Sequence, residues 1–154
     1  MAQPAFLRRR HGNVEVEDAG KGQLGSEFQD AGCLLTSEVH LFFSRPADLA
    51  ADRDASATAV AQKTKEYVND FSRYKEQSTI REVRALLIKH AVLADTDEPE
   101  GKGLQLTQFE MAQLANLAVS DVDEARILIP TLASKDDAQL ESLLNELSAI
   151  RKFS

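Results

Sequence analysis

Four helix-start signals in the second half of the chain, each followed by an apolar stripe of helical period, constrain this sequence more than anything else in it. Thr79 with Glu82 and Thr107 with Glu110 read as capping boxes, in which side chain and backbone satisfy each other at a helix N-terminus. Ser120 with Asp123 and Ser134 with Asp137 read as variants of the same device. The stripes that follow carry Ile80, Val83, Leu86 and Leu87; then Phe109, Leu114 and Leu117; then Val122, Ala125, Leu128 and Ile129; then Leu140, Leu143, Leu144, Leu147 and Ile150. Pro130 stops the third of these helices. Upstream, Val60, Thr64, Tyr67, Val68, Phe71 and Tyr74 fall at helical spacings on one face. Caps and stripes agree, so the expected fold is all-α, a compact bundle of about five helices over residues 57–154. Phe71, Phe109, Leu114, Leu117, Leu128, Ile129, Leu132 and Leu144 are the expected core.

The first third of the chain reads differently. Residues 1–22 are polar, charged and glycine-bearing, with Arg8, Arg9 and Arg10 followed by Glu15, Glu17 and Asp18, and are expected to be a disordered arm. Residues 23–56 form a second unit. Leu24, Phe28, Leu34 and Leu35 are spaced apolar residues, and Gly25 and Gly32 oppose a long helix, so an extended path is expected. Thr36-Ser37-Glu38 opens a short helix with Val39, Leu41, Phe42 and Phe43, which Pro46 ends. Residues 46–57 fit a linker or a weak helix equally. Asp95 to Gly103 reads as an acidic surface loop within the bundle.

Candidate chemistry is sparse. Gly20-Lys21-Gly22-Gln23-Leu24-Gly25 is a literal GxGxxG, but that motif holds a pyrophosphate only between a buried strand and a helix, and neither pattern flanks it. His11, His40 and His90 are far apart and lack the paired spacing of a zinc site. Cys33, the lone cysteine, has no local signature of a nucleophile and excludes an intramolecular disulfide. Arg73 and Lys75 beside Tyr74 read as a solvated helix face, with a small basic-aromatic patch as the alternative. No apolar run approaches membrane-spanning length. No catalytic residue, metal or cofactor is expected. The formal net charge is −7, from 18 Lys and Arg against 25 Asp and Glu, which disfavours autonomous binding to phosphate. The unabsorbed feature is the apolar segment itself. Leu24, Phe28, Leu34, Leu35, Val39 and Phe42 are the candidate partner-binding residues, because a cluster of such side chains outside a bundle marks a docking surface; the alternative is that the segment folds back onto its own bundle.

The order of these segments resembles a known family. Leu24-Gly25-Ser26-Glu27-Phe28 resembles the Leu-x-x-x-Phe entry element of the fourth subunits of RNA polymerase II, and Leu35-Thr36-Ser37-Glu38-Val39-His40-Leu41 their Ser-Glu-Val/Ala helix. Phe71-Ser72-Arg73-Tyr74-Lys75 is similar to their Phe-Ser-Arg-Phe element. The stretch Phe109 to Leu117 and the stretch Glu124-Ala125-Arg126-x-Leu128-Ile129-Pro130-x-Leu132 resemble their two best-marked helices, the latter being the most specific part. The likeness runs from about Gln23 to Phe153, with a longer 94–104 connection and a first helix shortened by Pro46.

The resemblance implies a helical domain similar to the HRDC module, preceded by an N-terminal segment that pairs with the seventh subunit, whose own fold includes an OB-type domain. It implies a stalk on the polymerase core beside the RNA exit path, which supports initiation and offers a surface for nascent RNA, reached through the partner, and for processing factors. It implies a nuclear, non-catalytic protein with no membrane association, shuttling to the cytoplasm being left open. A stand-alone helical nucleic-acid-binding module is the alternative, and the net charge of −7 counts against it.

Overall fold

The computed structural model describes residues 16–44, 55–92 and 103–153, with the side chains of residues 55–58 excepted. Six α-helices account for most of them: α1 (Thr36–Ser44), α2 (Ala55–Phe71), α3 (Gln77–Ile88), α4 (Gln108–Leu117), α5 (Val122–Leu128) and α6 (Asp137–Phe153). Short 3-10 turns cover Ala19–Lys21 and Pro130–Ser134. No strand is present among the described residues; the only extended pairings are the isolated bridges Asp18 with Gln23 and Ala91 with Leu106. The fold is all-α.

One core joins α3, α4 and α6. Ile80, Val83 and Leu87 from α3, Met111, Leu114 and Ala115 from α4, and Leu140, Leu143, Leu144 and Leu147 from α6 are buried together at the i, i+3, i+4 spacings of amphipathic helices. α5 contributes Ala125, and the residues that follow it contribute Ile129 and Leu132. Of the expected core, Leu114, Ile129, Leu132 and Leu144 lie in this cluster and Phe109 is half-buried.

Phe71, Leu117 and Leu128 do not belong to the core. All three are the last residues of their helices and are exposed. In α5 the inward row is Ala125 and Ile129, four apart, and Leu128 lies one 100° step off it. In α2 the inward residue is Val68, so Val60, Tyr67 and Phe71 form an exposed stripe instead of the buried face that their spacing suggests. The Tyr67 and Phe71 rings pack on each other, centroids 4.6 Å apart.

The helix starts follow local chemistry, with shifts. Thr107 and Glu110 form the expected capping box: the Glu110 N–H donates to Thr107 Oγ1, and the Thr107 N–H to Glu110 Oε2. α5 is capped by Asp121, which accepts from the Glu124 N–H, one residue later than expected. At α6 the Asp136 carboxylate accepts from the Gln139 N–H, while Ser134 ends the preceding 3-10 turn. Thr79 and Glu82 form no box. α3 begins three residues earlier at Gln77, with Glu76 in the N-cap place, because Tyr74 is buried and its N–H is fixed by Ser37, so the loop ends sooner. Pro130 ends α5 and opens the next 3-10 turn.

One N-terminal expectation changes among the described residues. Residues 16–22 are not a loose arm: Asp18 and Gln23 exchange two backbone hydrogen bonds, and the Asp18 side chain accepts from the Gly20 N–H. Residues 45–54 and 93–102, which include Pro46 and most of the acidic loop, lie outside the described residues, as does His11. The membrane expectation concerns helices alone: none among the described residues is long and apolar enough to cross a bilayer.

Candidate functional site

The N-terminal segment reaches the bundle as two built pieces. The first is the turn from Asp18 to Gln29. Gly22 and Gly25 adopt φ of +72° and +82°, which only glycine takes without strain, and a Cβ on Gly25 would sit 2.8 Å from Glu17 Oε1. The Gln29 amide fastens the turn: its Oε1 accepts from the Leu24 N–H at 3.0 Å and its Nε2 donates to the Gly22 carbonyl at 2.8 Å. Leu24 is consequently half-buried, whereas Phe28 stands 60% exposed on the outer side. Between this turn, Val92, Thr131 and the start of α4 lies an open hollow of about 520 Å³, walled in part by Leu24 and Phe109.

The second piece is Cys33 to Glu38, tied to three places in the bundle. Arg84 of α3 ion-pairs with Glu38 and donates to the Cys33 carbonyl at 2.9 Å. Asn116 of α4 accepts from the Thr36 N–H at 3.0 Å. Ser37, itself buried, accepts from the Tyr74 N–H at 3.0 Å. Glu38 also reaches back to the Leu35 N–H at 2.8 Å, so Leu35 takes the N-cap place of α1. Burial pushes the Glu38 carboxyl up, but its hydrogen bonds from Arg84 and Leu35 outweigh this and hold it below its ordinary 4.5.

These ties sort the candidate partner-binding residues. Leu35 is 1% exposed and belongs to the core, not to an outer surface. Its neighbour Leu34 is 67% exposed. Val39 is half-buried on α1, and Phe42 is 54% exposed with its ring edge-on to Phe43 at 5.7 Å. The segment therefore does fold back onto its bundle, and it does so while leaving Phe28, Leu34 and Phe42 outside. Arg84 and Asn116, which anchor it, were not legible as functional: they lie 46 and 80 residues from their partners, beyond any local pattern.

Other candidate chemistry disperses. Arg73 donates to the Asn116 carbonyl and Lys75 to the Asn69 carbonyl, and Tyr74 between them is buried, so no basic-aromatic patch forms there. The GxGxxG glycines belong to the Asp18–Gln29 turn, with no strand before it among the described residues. Among the described residues no group of His, Cys, Asp and Glu could hold a metal ion. His40 and His90 are both held below the ordinary 6.5, chiefly by burial.

The described residues thus define an all-α protein whose polar groups are tied into caps and clasps and whose N-terminal segment leaves Phe28, Leu34 and Phe42 exposed. The chain belongs to the RNA polymerase Rpb4 family, whose model matches residues 14–151. It is 34% identical to DNA-directed RNA polymerase II subunit 4 of Arabidopsis thaliana, over 90% of this chain and 96% of that protein. It is 31% identical to the subunit rpb4 of Dictyostelium discoideum (96% and 97%), and 34% identical to that of Schizosaccharomyces pombe (89% and 93%).

Proposed function

We propose that this chain is a non-catalytic, nuclear subunit of RNA polymerase II that pairs with the seventh subunit to form a stalk near the RNA exit path. In that place it supports initiation and couples transcription to RNA processing. Family membership supports the assignment to the polymerase. The pairing rests chiefly on one observation: Phe28, Leu34 and Phe42 stand outside on a segment whose neighbouring residues are locked to the bundle. Large apolar side chains held outward by a rigid support are what a protein partner needs, since little ordering cost remains at association.

Affinity purification of the tagged full chain, with identification of the co-purifying proteins, tests the assignment. Polymerase II subunits, the seventh among them, are expected in stoichiometric amount. Recovery of the chain alone, or with nucleic acid and no polymerase, would overturn it.

A further inference from the structure

The clasp at Arg84 does more than join two helices. Its guanidinium reaches the Glu38 side chain and the Cys33 main chain at once, so it spans the stretch through which the chain enters α1. That stretch carries the alternation that turns Leu34 outward and Leu35 into the core. Just upstream, Gly32 has nothing within 4 Å of the place a Cβ would take.

Resting on the pairing proposed above, we infer that Arg84 is a positioning residue for partner docking, holding residues 33–38 in the register that presents Leu34 to the seventh subunit. A guanidinium suits this task because its planar fork donates in two directions from one side chain; a lysine keeps the charge but not the fork. Loss of the fork leaves Leu34 chemically intact and its orientation unfixed. If the docking-competent register falls to about a tenth of the population, apparent affinity falls about tenfold.

The test uses the full chain and the seventh subunit, titrated against wild type, Arg84→Lys, Leu34→Ala and the double variant. Amide exchange at Leu35, Glu38 and Val39 is followed beside that of α6. In Arg84→Lys, binding is expected to weaken about tenfold, with faster exchange at 35–39 and unchanged protection in α6. Leu34→Ala should then cost much less in the Arg84→Lys background than in wild type, because a side chain already misplaced has less to lose. Glu38→Gln, which breaks the clasp from its other end, should repeat the Arg84→Lys pattern. Additive losses, or wild-type affinity despite faster exchange, would overturn the positioning role. Weaker binding with unchanged exchange would make Arg84 a direct contact and would overturn it equally. If the wild-type chain does not bind the seventh subunit at all, the pairing itself fails and the inference falls with it.

Discussion

Leu34 and Leu35 are adjacent, chemically identical and oppositely placed, so truncating each in turn separates interface from core. Leu35 is 1% exposed within the core cluster. Removing its side chain beyond Cβ forfeits the transfer energy and leaves a cavity, about 2–5 kcal/mol. For a chain of this length each kcal/mol moves the midpoint by roughly 2–4 °C, so Leu35→Ala should melt roughly 5–20 °C early. Leu34 is 67% exposed, and Leu34→Ala should change stability by no more than about 0.5 kcal/mol. Full burial of a leucine is worth about 1.5–3 kcal/mol, and about two-thirds of that is still available on docking, some 1–2 kcal/mol. Binding to the seventh subunit should weaken by roughly 5- to 30-fold. Thermal melts followed by circular dichroism, with calorimetric titration of the partner, read both quantities on the same samples. An early melt for Leu34→Ala with a wild-type melt for Leu35→Ala would refute the placement of these residues and the docking surface built on it.

Other consequences are checked as directly. Thr107→Ala removes the working cap of α4 and should cost about 1 kcal/mol in a chemical melt, whereas Thr79→Ala, whose hydroxyl caps nothing, should cost clearly less. The folded Glu38 carboxyl titrates below its ordinary 4.5, so its contribution is complete above that pH and is lost as pH falls through the folded value. Melts from pH 6 to 3 should show Glu38→Gln converging on wild type at the acid end, and a constant gap would refute the ion pair. The double change Tyr67→Ser and Phe71→Ser should leave the melting temperature nearly unchanged, since both rings are exposed, and a large drop would return them to the core. The isolated chain should bind single-stranded RNA more weakly than about 1 µM at physiological salt and gain affinity when the proposed seventh-subunit partner is added, and tight binding alone would contradict that.

The bundle was legible because its stripes are long and regular: α6 buries Leu140, Leu143, Leu144 and Leu147 as its spacing requires. Less legible was which side of a shorter stripe faces inward. On α2, Val68 and Tyr67 are neighbours in sequence and 100° apart on the helix, and only packing against the rest of the chain selects the first. The same holds for the caps. Thr107 and Glu110 act as their pattern says, whereas Thr79 and Glu82 fail because a tertiary bond from Tyr74 to Ser37 starts α3 early. The apolar segment was recognisable as unusual from composition, but the split between Leu34 and Leu35 depends on ties to Arg84 and Asn116 that no local window contains.

Those ties also bear on what the chain leaves for nucleic acid. Among the described residues, six lysines and arginines donate to main-chain carbonyls of the protein itself: Arg73, Lys75, Arg84, Arg126, Lys135 and Arg151. Three of them stand at helix ends. Lys75 serves the last turn of α2, while Arg73 and Arg151 serve the end of α4, where orphan carbonyls and the negative pole of the helix favour a cation. Arg84 and Arg126 are further engaged with Glu38 and Asp137. A phosphate contact by any of these would share a side chain that already holds the fold, which restricts how freely that side chain can turn toward an RNA strand. With a net charge of −7 in addition, long-range attraction of phosphate is opposed before contact is made. The outward apolar side chains carry no such prior obligation, which is why a protein partner, and not a nucleic acid, is the ligand this surface favours.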